Sequence, residues 1–209
     1  MPRPARKRED ILAGAALVFR RLGYERSSMD AVAHAAGVSK ATLYRYYPTK
    51  DALFLAVVEA TPPARLAAPV AAADPGETLR QLGHAILTAV SDEAYLGLVR
   101  VVFGEGERFP HLGLAIRGRV FDRMFPALAG LMARWIAAGA LRPLDARLAA
   151  QEFVGMILSY VFLRNIMPGG VDWGVTDEAV IAQVVTVFLY GAATARGETL
   201  PAAVPPGRE

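Results

Sequence analysis

The sequence predicts an all-α protein, and three observations carry that reading. Apolar residues recur at three- and four-residue spacing along most of the chain. No segment alternates apolar and polar residues as a half-buried strand would. The short N-terminal periodic runs are bracketed by Ser or Thr before them and by Gly or Pro after them, which are helix start and stop signals. About nine helices result, with a small basic N-terminal unit ahead of a larger apolar one.

The first helix is expected over 5–22, where Ile11, Leu12, Ala15, Phe19 and Leu22 fall on one face. That periodicity, with Arg20 and Arg21 ending the run, separates the opening "MPRPARKREDILAGAALVF" from the secretory leader it imitates. Ser28 can cap a second helix over 29–36, with Asp30 in the first turn and Gly37 at its end. Ser39 can cap a third over 40–46, "KATLYRY", which stops before Pro48, and Thr49 a fourth over 50–65. The Pro/Ala-rich "TPPARLAAPVAAADPGE" at 61–77 marks a change of composition. Beyond it, helices are expected over 76–91, 93–105, 112–138, 145–166 and 177–195, with "MPGGVDWGV" at 167–175 as a loop. The expected division is a helix-turn-helix domain over 1–60, a second domain over 61–196 and a flexible tail over 197–209.

Charge and composition narrow the function. Residues 1–60 hold ten basic and six acidic side chains, so the whole +3 excess of the 209-residue chain lies there. A polyanion is the natural partner. Cys is 0, which excludes thiol catalysis and thiolate metal sites and suits a cytoplasmic protein. His34, His84 and His111 are far apart without ligand spacing, and Glu105 and Glu107, two apart on a helix, face different ways. "GEG" at 104–106 lacks the third glycine and the strand of a dinucleotide loop. No enzyme, metal or cofactor is expected. The apolar stretches 153–163 and 179–195 are bounded by Arg164 or carry Gln183 and Thr186, so both read as buried helices and no membrane partner is expected.

Two short helices meeting at Gly37 make a helix-turn-helix pattern. On the second, Leu43 and Tyr47 can face the core with Val32 and Val38, leaving Lys40, Ala41, Thr42, Tyr44, Arg45 and Tyr46 outside. With Tyr47 the run "KATLYRYY" is eight residues, about 12 Å of helix, which matches a B-DNA major groove about 12 Å wide. Ser39, Thr42, the tyrosines and Lys40 suit phosphates, and Arg45 suits guanine. Lys50 sits at a helix N-terminus where a phosphate could dock. Taken singly, each aromatic could be core and each cation a solvated face. Three tyrosines on one eight-residue helix cannot all face one core.

"ILAGAALVFRRLGYERSSMDAVAHAAGVSKATLYRYYPTKDALF" resembles the DNA-binding domain of the TetR family of bacterial transcriptional regulators across about the first 55 residues. Phe-x-x-x-Gly-Tyr, the Ser pair, Ala-Gly-Val-Ser, Leu-Tyr-x-Tyr-Tyr and Lys-Asp-x-Leu-Phe occur in order. By that resemblance Ser28, Thr42, Tyr44, Tyr46 and Lys50 match DNA-contacting positions, and Lys40, Ala41 and Arg45 match positions that vary with the operator. Arg3, Arg6 and Lys7 would form a mobile arm, or serve as solubilising charge. "VRVVFGEGERFPHLG" with "LAAQEFVGMIL" is similar to the subgroup with AefR-like C-terminal domains.

The resemblance implies a homodimer that binds a double-stranded DNA operator and a small-molecule effector. Phe103, Phe109, His111, Arg117, Phe121, Met124 and Trp135, joined by Met156 and Tyr160, are the candidate effector pocket; aromatics and methionines at helical spacing serve equally as core. Val154, Leu158, Val161, Phe162, Ile181, Val184, Phe188 and Gly191 are the candidate dimer face, on two helices expected to pair with their twofold mates. The rival reading is a ligand-binding or protein-interaction module whose helix-turn-helix has lost its DNA role.

Overall fold

The computed structural model describes residues 4–63 and 74–192, and among them the chain is helical with no strand. The expected tail over 197–209, most of the Pro/Ala-rich segment, and Arg3 lie outside the described residues. Helices α1 (Pro4–Leu22), α2 (Met29–Ala35), α3 (Lys40–Tyr46) and α4 (Lys50–Ala60) form one group. The second comprises α5 (Pro75–Val90), α6 (Glu93–Glu105), α7 (Pro110–Ile116), α8 (Asp122–Ala137), α9 (Ala146–Val161) and α10 (Asp177–Ala192).

Two rods contain π-helical turns. Arg117–Phe121 joins α7 to α8, making them the single rod expected over 112–138, and Phe162–Ile166 prolongs α9. Pro126 lies in the first turns of α8 and has no N–H to donate, so the wider turn just before it resets the hydrogen-bond ladder. Helix α4 ends at Ala60 rather than 65, because the Thr61 N–H closes on the Val58 carbonyl and Pro62 and Pro63 cannot donate.

In the first group Ile11, Phe19, Leu43, Leu53 and Phe54 are fully buried, with the Phe19 and Phe54 rings edge to face at 5.4 Å. Burying each such side chain stabilises the fold by about 1.5–3 kcal/mol. In the second, α9 packs between α5, α8 and α10, and Phe153 meets Phe188 at 5.4 Å. The 21-residue rod Ala146–Ile166, with mean hydropathy 1.3, has the length and composition to cross a membrane; here its apolar face packs on those three helices.

That packing corrects the expected dimer face. Val154, Val161, Ile181, Val184 and Phe188 are all buried inside the protomer. Both helices spend these five branched and aromatic residues on their own core. Gly191 is exposed, as are Val187 and Tyr190, which is 86 % accessible.

Candidate nucleic-acid interface and effector cavity

Each of the three short helices starts on a hydroxyl cap. The Ser28, Ser39 and Thr49 hydroxyls accept from the N–H groups of Ala31, Thr42 and Ala52 at 3.1, 3.2 and 3.0 Å. Gly37, at φ 63°, turns the chain between α2 and α3. Leu43 and Tyr47 point inward, and the Tyr47 hydroxyl accepts from Arg8 Nε of α1 at 3.2 Å. Lys40, Ala41, Tyr44 and Arg45 are exposed; Thr42 and Tyr46 are half-buried. The Arg45 guanidinium lies 5.7 Å from the Tyr46 ring centre. Lys40 Nζ pairs with Asp30 at 2.7 Å in full solvent, and that hydrogen bond raises its pKa.

Lys50 is placed differently from its expected role. Its Nζ turns back to the carbonyls of Tyr24, Ser27 and Glu25 at 2.7, 3.2 and 3.3 Å and lies 4.3 Å from the Tyr24 ring centre. Burial lowers its pKa, with Glu105 and Glu25 opposing. The side chain therefore fastens the α1–α2 loop to α4. Arg6 and Lys7 lie within α1, not in a separate arm.

The same loop is gripped from the second group. Glu105, the last residue of α6, accepts from the N–H groups of Tyr24 at 2.8 Å and Glu25 at 2.7 Å. Gly23, at φ 76°, makes this approach possible, because a Cβ there would collide with the Glu105 carboxylate. Arg108 pairs with Glu25, and His111 Nε2 lies 3.1 Å from Asp51, which also binds the Tyr24 hydroxyl. Higher on α6, Gly97 lets α1 lie close: a Cβ there would stand 2.9 Å from Arg20 Cδ. Helix α6 is thus fixed to the first group at both ends of one face.

Its other face lines a cavity of about 300 Å³. Helix α6 contributes Tyr95, Leu96, Val99, Val102 and Phe103; Val90 ends α5; Gly113 and Ile116 come from α7; Leu158 and Val161 from α9. The two π turns supply Arg117, Phe121, Phe162 and Ile166, in keeping with the frequency of such turns at functional sites. Arg117 is mostly exposed and pairs loosely with Asp122 at 3.7 Å, so it marks the mouth.

Comparison with known proteins decides what this arrangement belongs to. Residues 11–57 match the family of bacterial regulatory proteins, tetR family, and residues 77–192 match the AefR-like transcriptional repressor, C-terminal domain. The chain belongs to the TetR family of transcriptional regulators. An HTH-type transcriptional regulator of Mycobacterium tuberculosis is 27 % identical over 186 residues, covering 88 % of this chain and 89 % of the relative. The structure of the Flavonoid-responsive Regulator FrrA is 30 % identical with TM-score 0.72, covering 90 % of this chain and 98 % of that one. A TetR-family regulator from Mesorhizobium loti is 26 % identical with TM-score 0.70, covering 93 % and 100 %.

Of the residues expected to form the TetR-family effector pocket, Phe103, Arg117 and Phe121 line the cavity. Phe109 and His111 instead pack on the Tyr24 ring at 5.3 and 5.7 Å, at the junction with the first group. Trp135 is core, and Met124 is half-buried away from the cavity. Met156 lies in a separate surface groove with Phe188 and Gly191, and Tyr160 stacks on Trp173 at 5.4 Å while its hydroxyl accepts from Arg164. Leu158, Val161 and Phe162, expected at a dimer contact, are cavity wall. Sequence reasoning missed Glu105 and Gly97, whose roles depend on partners some 80 residues away in the chain. The Gly23-Tyr24 pair after α1 was the available signal for a special loop.

Proposed function

We propose that this TetR-family regulator is a cytoplasmic, ligand-responsive repressor that binds a palindromic operator as a homodimer and is released by a small apolar or aromatic effector. The observation that carries the proposal is the double duty of α6. One of its faces walls the cavity through Val99, Val102 and Phe103; the other holds α1 at Gly97 and the α1–α2 loop at Glu105. An effector that pushes on the wall moves the same helix that seats the reading unit. The shift is bounded by the effector's difference in affinity for the two states. FrrA, being flavonoid-responsive, is a relative whose effector is aromatic.

In the dimer, the outward faces of α9 and α10 pair across the twofold axis through Gly155, Ser159, Val187, Tyr190 and Gly191, all exposed in the protomer. Two α3 helices then address half-sites about one DNA turn, 34–36 Å, apart. Ala41 and Arg45 read the operator, and Lys40, at a position that varies with it, neutralises a phosphate; Ser28, Ser39, Thr42, Tyr44 and Tyr46 hold the backbone, and Lys50 positions the loop and helix end beside it.

The test is anisotropy with DNA selected from a random pool, over a salt series, for the parent protein and Lys40→Ala. A palindrome with one-turn spacing is expected, and the substitution should flatten the salt slope by about one unit per protomer. Selection that enriches no sequence would refute operator binding. A compound that binds equally well to free and DNA-bound protein would refute the release mechanism.

A further inference from the structure

The cavity wall holds two polar side chains among its 14 residues, Tyr95 and Arg117. They differ in what already engages them. Arg117 is at the solvent mouth with Asp122 beside it. Tyr95 is 4 % exposed, and among the described residues its hydroxyl meets no hydrogen-bonding or charged partner. Nor is that hydroxyl sealed among packed atoms, as the unpaired Arg142 Nε is. The hydroxyl thus keeps a little accessible surface and no protein partner, so a ligand entering the otherwise apolar chamber meets an O–H that is free to donate.

Resting on the effector reading above, we infer that Tyr95 is the specificity residue of the cavity, and that the effector is an aromatic compound presenting one hydrogen-bond acceptor, of carbonyl type, to the Tyr95 hydroxyl. The aromatic part follows from the wall, where Phe103, Phe121 and Phe162 accompany aliphatic side chains, and from a volume of about 300 Å³, at the lower end for a small-molecule site. The acceptor follows from the phenol. Burial pushes its pKa up to about 12, so it stays a neutral O–H donor throughout the physiological range. One donor in an apolar chamber fixes the orientation of a flat ligand that dispersion alone would leave free to turn.

The experiment uses the full chain with N-phenyl-1-naphthylamine as a fluorescent reporter, displaced by 2-acetylnaphthalene or by 2-ethylnaphthalene. The two competitors have similar shape and differ in the carbonyl. The ketone should bind about fivefold to tenfold tighter than the hydrocarbon, and Tyr95→Phe should erase that preference. The thermal midpoint of Tyr95→Phe should equal or exceed the parent's, since the lost hydroxyl has no partner in the free protein. Leu158→Trp, which fills the chamber, should abolish both displacements. A ketone preference that is absent in the parent, or that survives Tyr95→Phe, overturns this inference while leaving the cavity as an effector site. Binding that survives Leu158→Trp overturns it as well, because the compounds then sit elsewhere. If neither competitor nor reporter binds, the effector reading itself falls and takes this inference with it.

Discussion

Helices α2, α3 and α4 each begin on a hydroxyl that accepts from the backbone three residues on, whereas α7 and α8 begin with no side-chain cap and are joined by a π turn. The first region reads DNA in this family, and the second encloses the cavity. The contrast teaches how each holds its shape. The reading unit is set by local rules: caps, a turn glycine and a single inward stripe. In the cavity region α5, α6 and α9 start on the Asp74, Asp92 and Asp145 caps, but α7, the π turn after it and α8 have none and are held by packing. A reader of a fixed DNA groove gains from local rigidity, while a chamber that responds to an effector, as proposed above, gains from elements such as α7 and α8 that lack capping restraints.

Truncating the inward stripe should have the largest effect. Leu43→Ala empties a fully buried position under the reading helix, and should destabilise the chain by about 2–5 kcal/mol with loss of operator binding, measured by urea unfolding and anisotropy. Unchanged stability would mean that α3 is held by its cap and turn alone.

Next comes the bridge between the regions. Glu105→Gln replaces a charged acceptor of two backbone N–H groups by a neutral one, and should cost about 1–2 kcal/mol. Its sharper consequence is functional: operator affinity should change less on adding effector than in the parent. Full effector response with the bridge weakened would show that the coupling runs through the remaining contacts, Gly97 with Arg20, Arg108 with Glu25 and His111 with Asp51.

Ser39→Ala removes one cap and should cost about 1 kcal/mol, with weaker operator binding as α3 frays. The same substitution should leave reporter binding in the cavity unchanged, which tests the independence of the two regions.

The smallest effect at neutral pH concerns Tyr95. Its folded pKa, pushed to about 12, lies above the ordinary tyrosine value near 10, so the folded state holds the proton more tightly. The stabilisation is complete below about pH 10 and is lost as pH rises towards 12. Parent protein should therefore lose stability across that window more steeply than Tyr95→Phe, read by urea unfolding at stepped pH. Parallel curves would mean that the phenol titrates as if exposed.

What the sequence determined by itself is the local grammar. The boundaries of α2 and α3, the caps at Ser28, Ser39 and Thr49, the turn at Gly37 and the inward placement of Leu43 and Tyr47 all follow from residues within one or two turns of each other. The all-α class was legible for the same reason, since period and capping are short-range. Tertiary structure alone decided which apolar residues on the long helices became core, wall or surface. Val154, Leu158, Val161 and Phe162 lie on one continuous apolar rod, and no spacing rule tells that the first packs inside and the others border a chamber. Lys50 looked free for phosphate until three carbonyls from the α1–α2 loop were brought to it. Glu105 looked like surface charge until the fold carried two backbone N–H groups to its carboxylate. Hydrophobic burial is non-directional, so a helix apolar nearly all round fits several neighbours, and only the assembled set of helices selects among them.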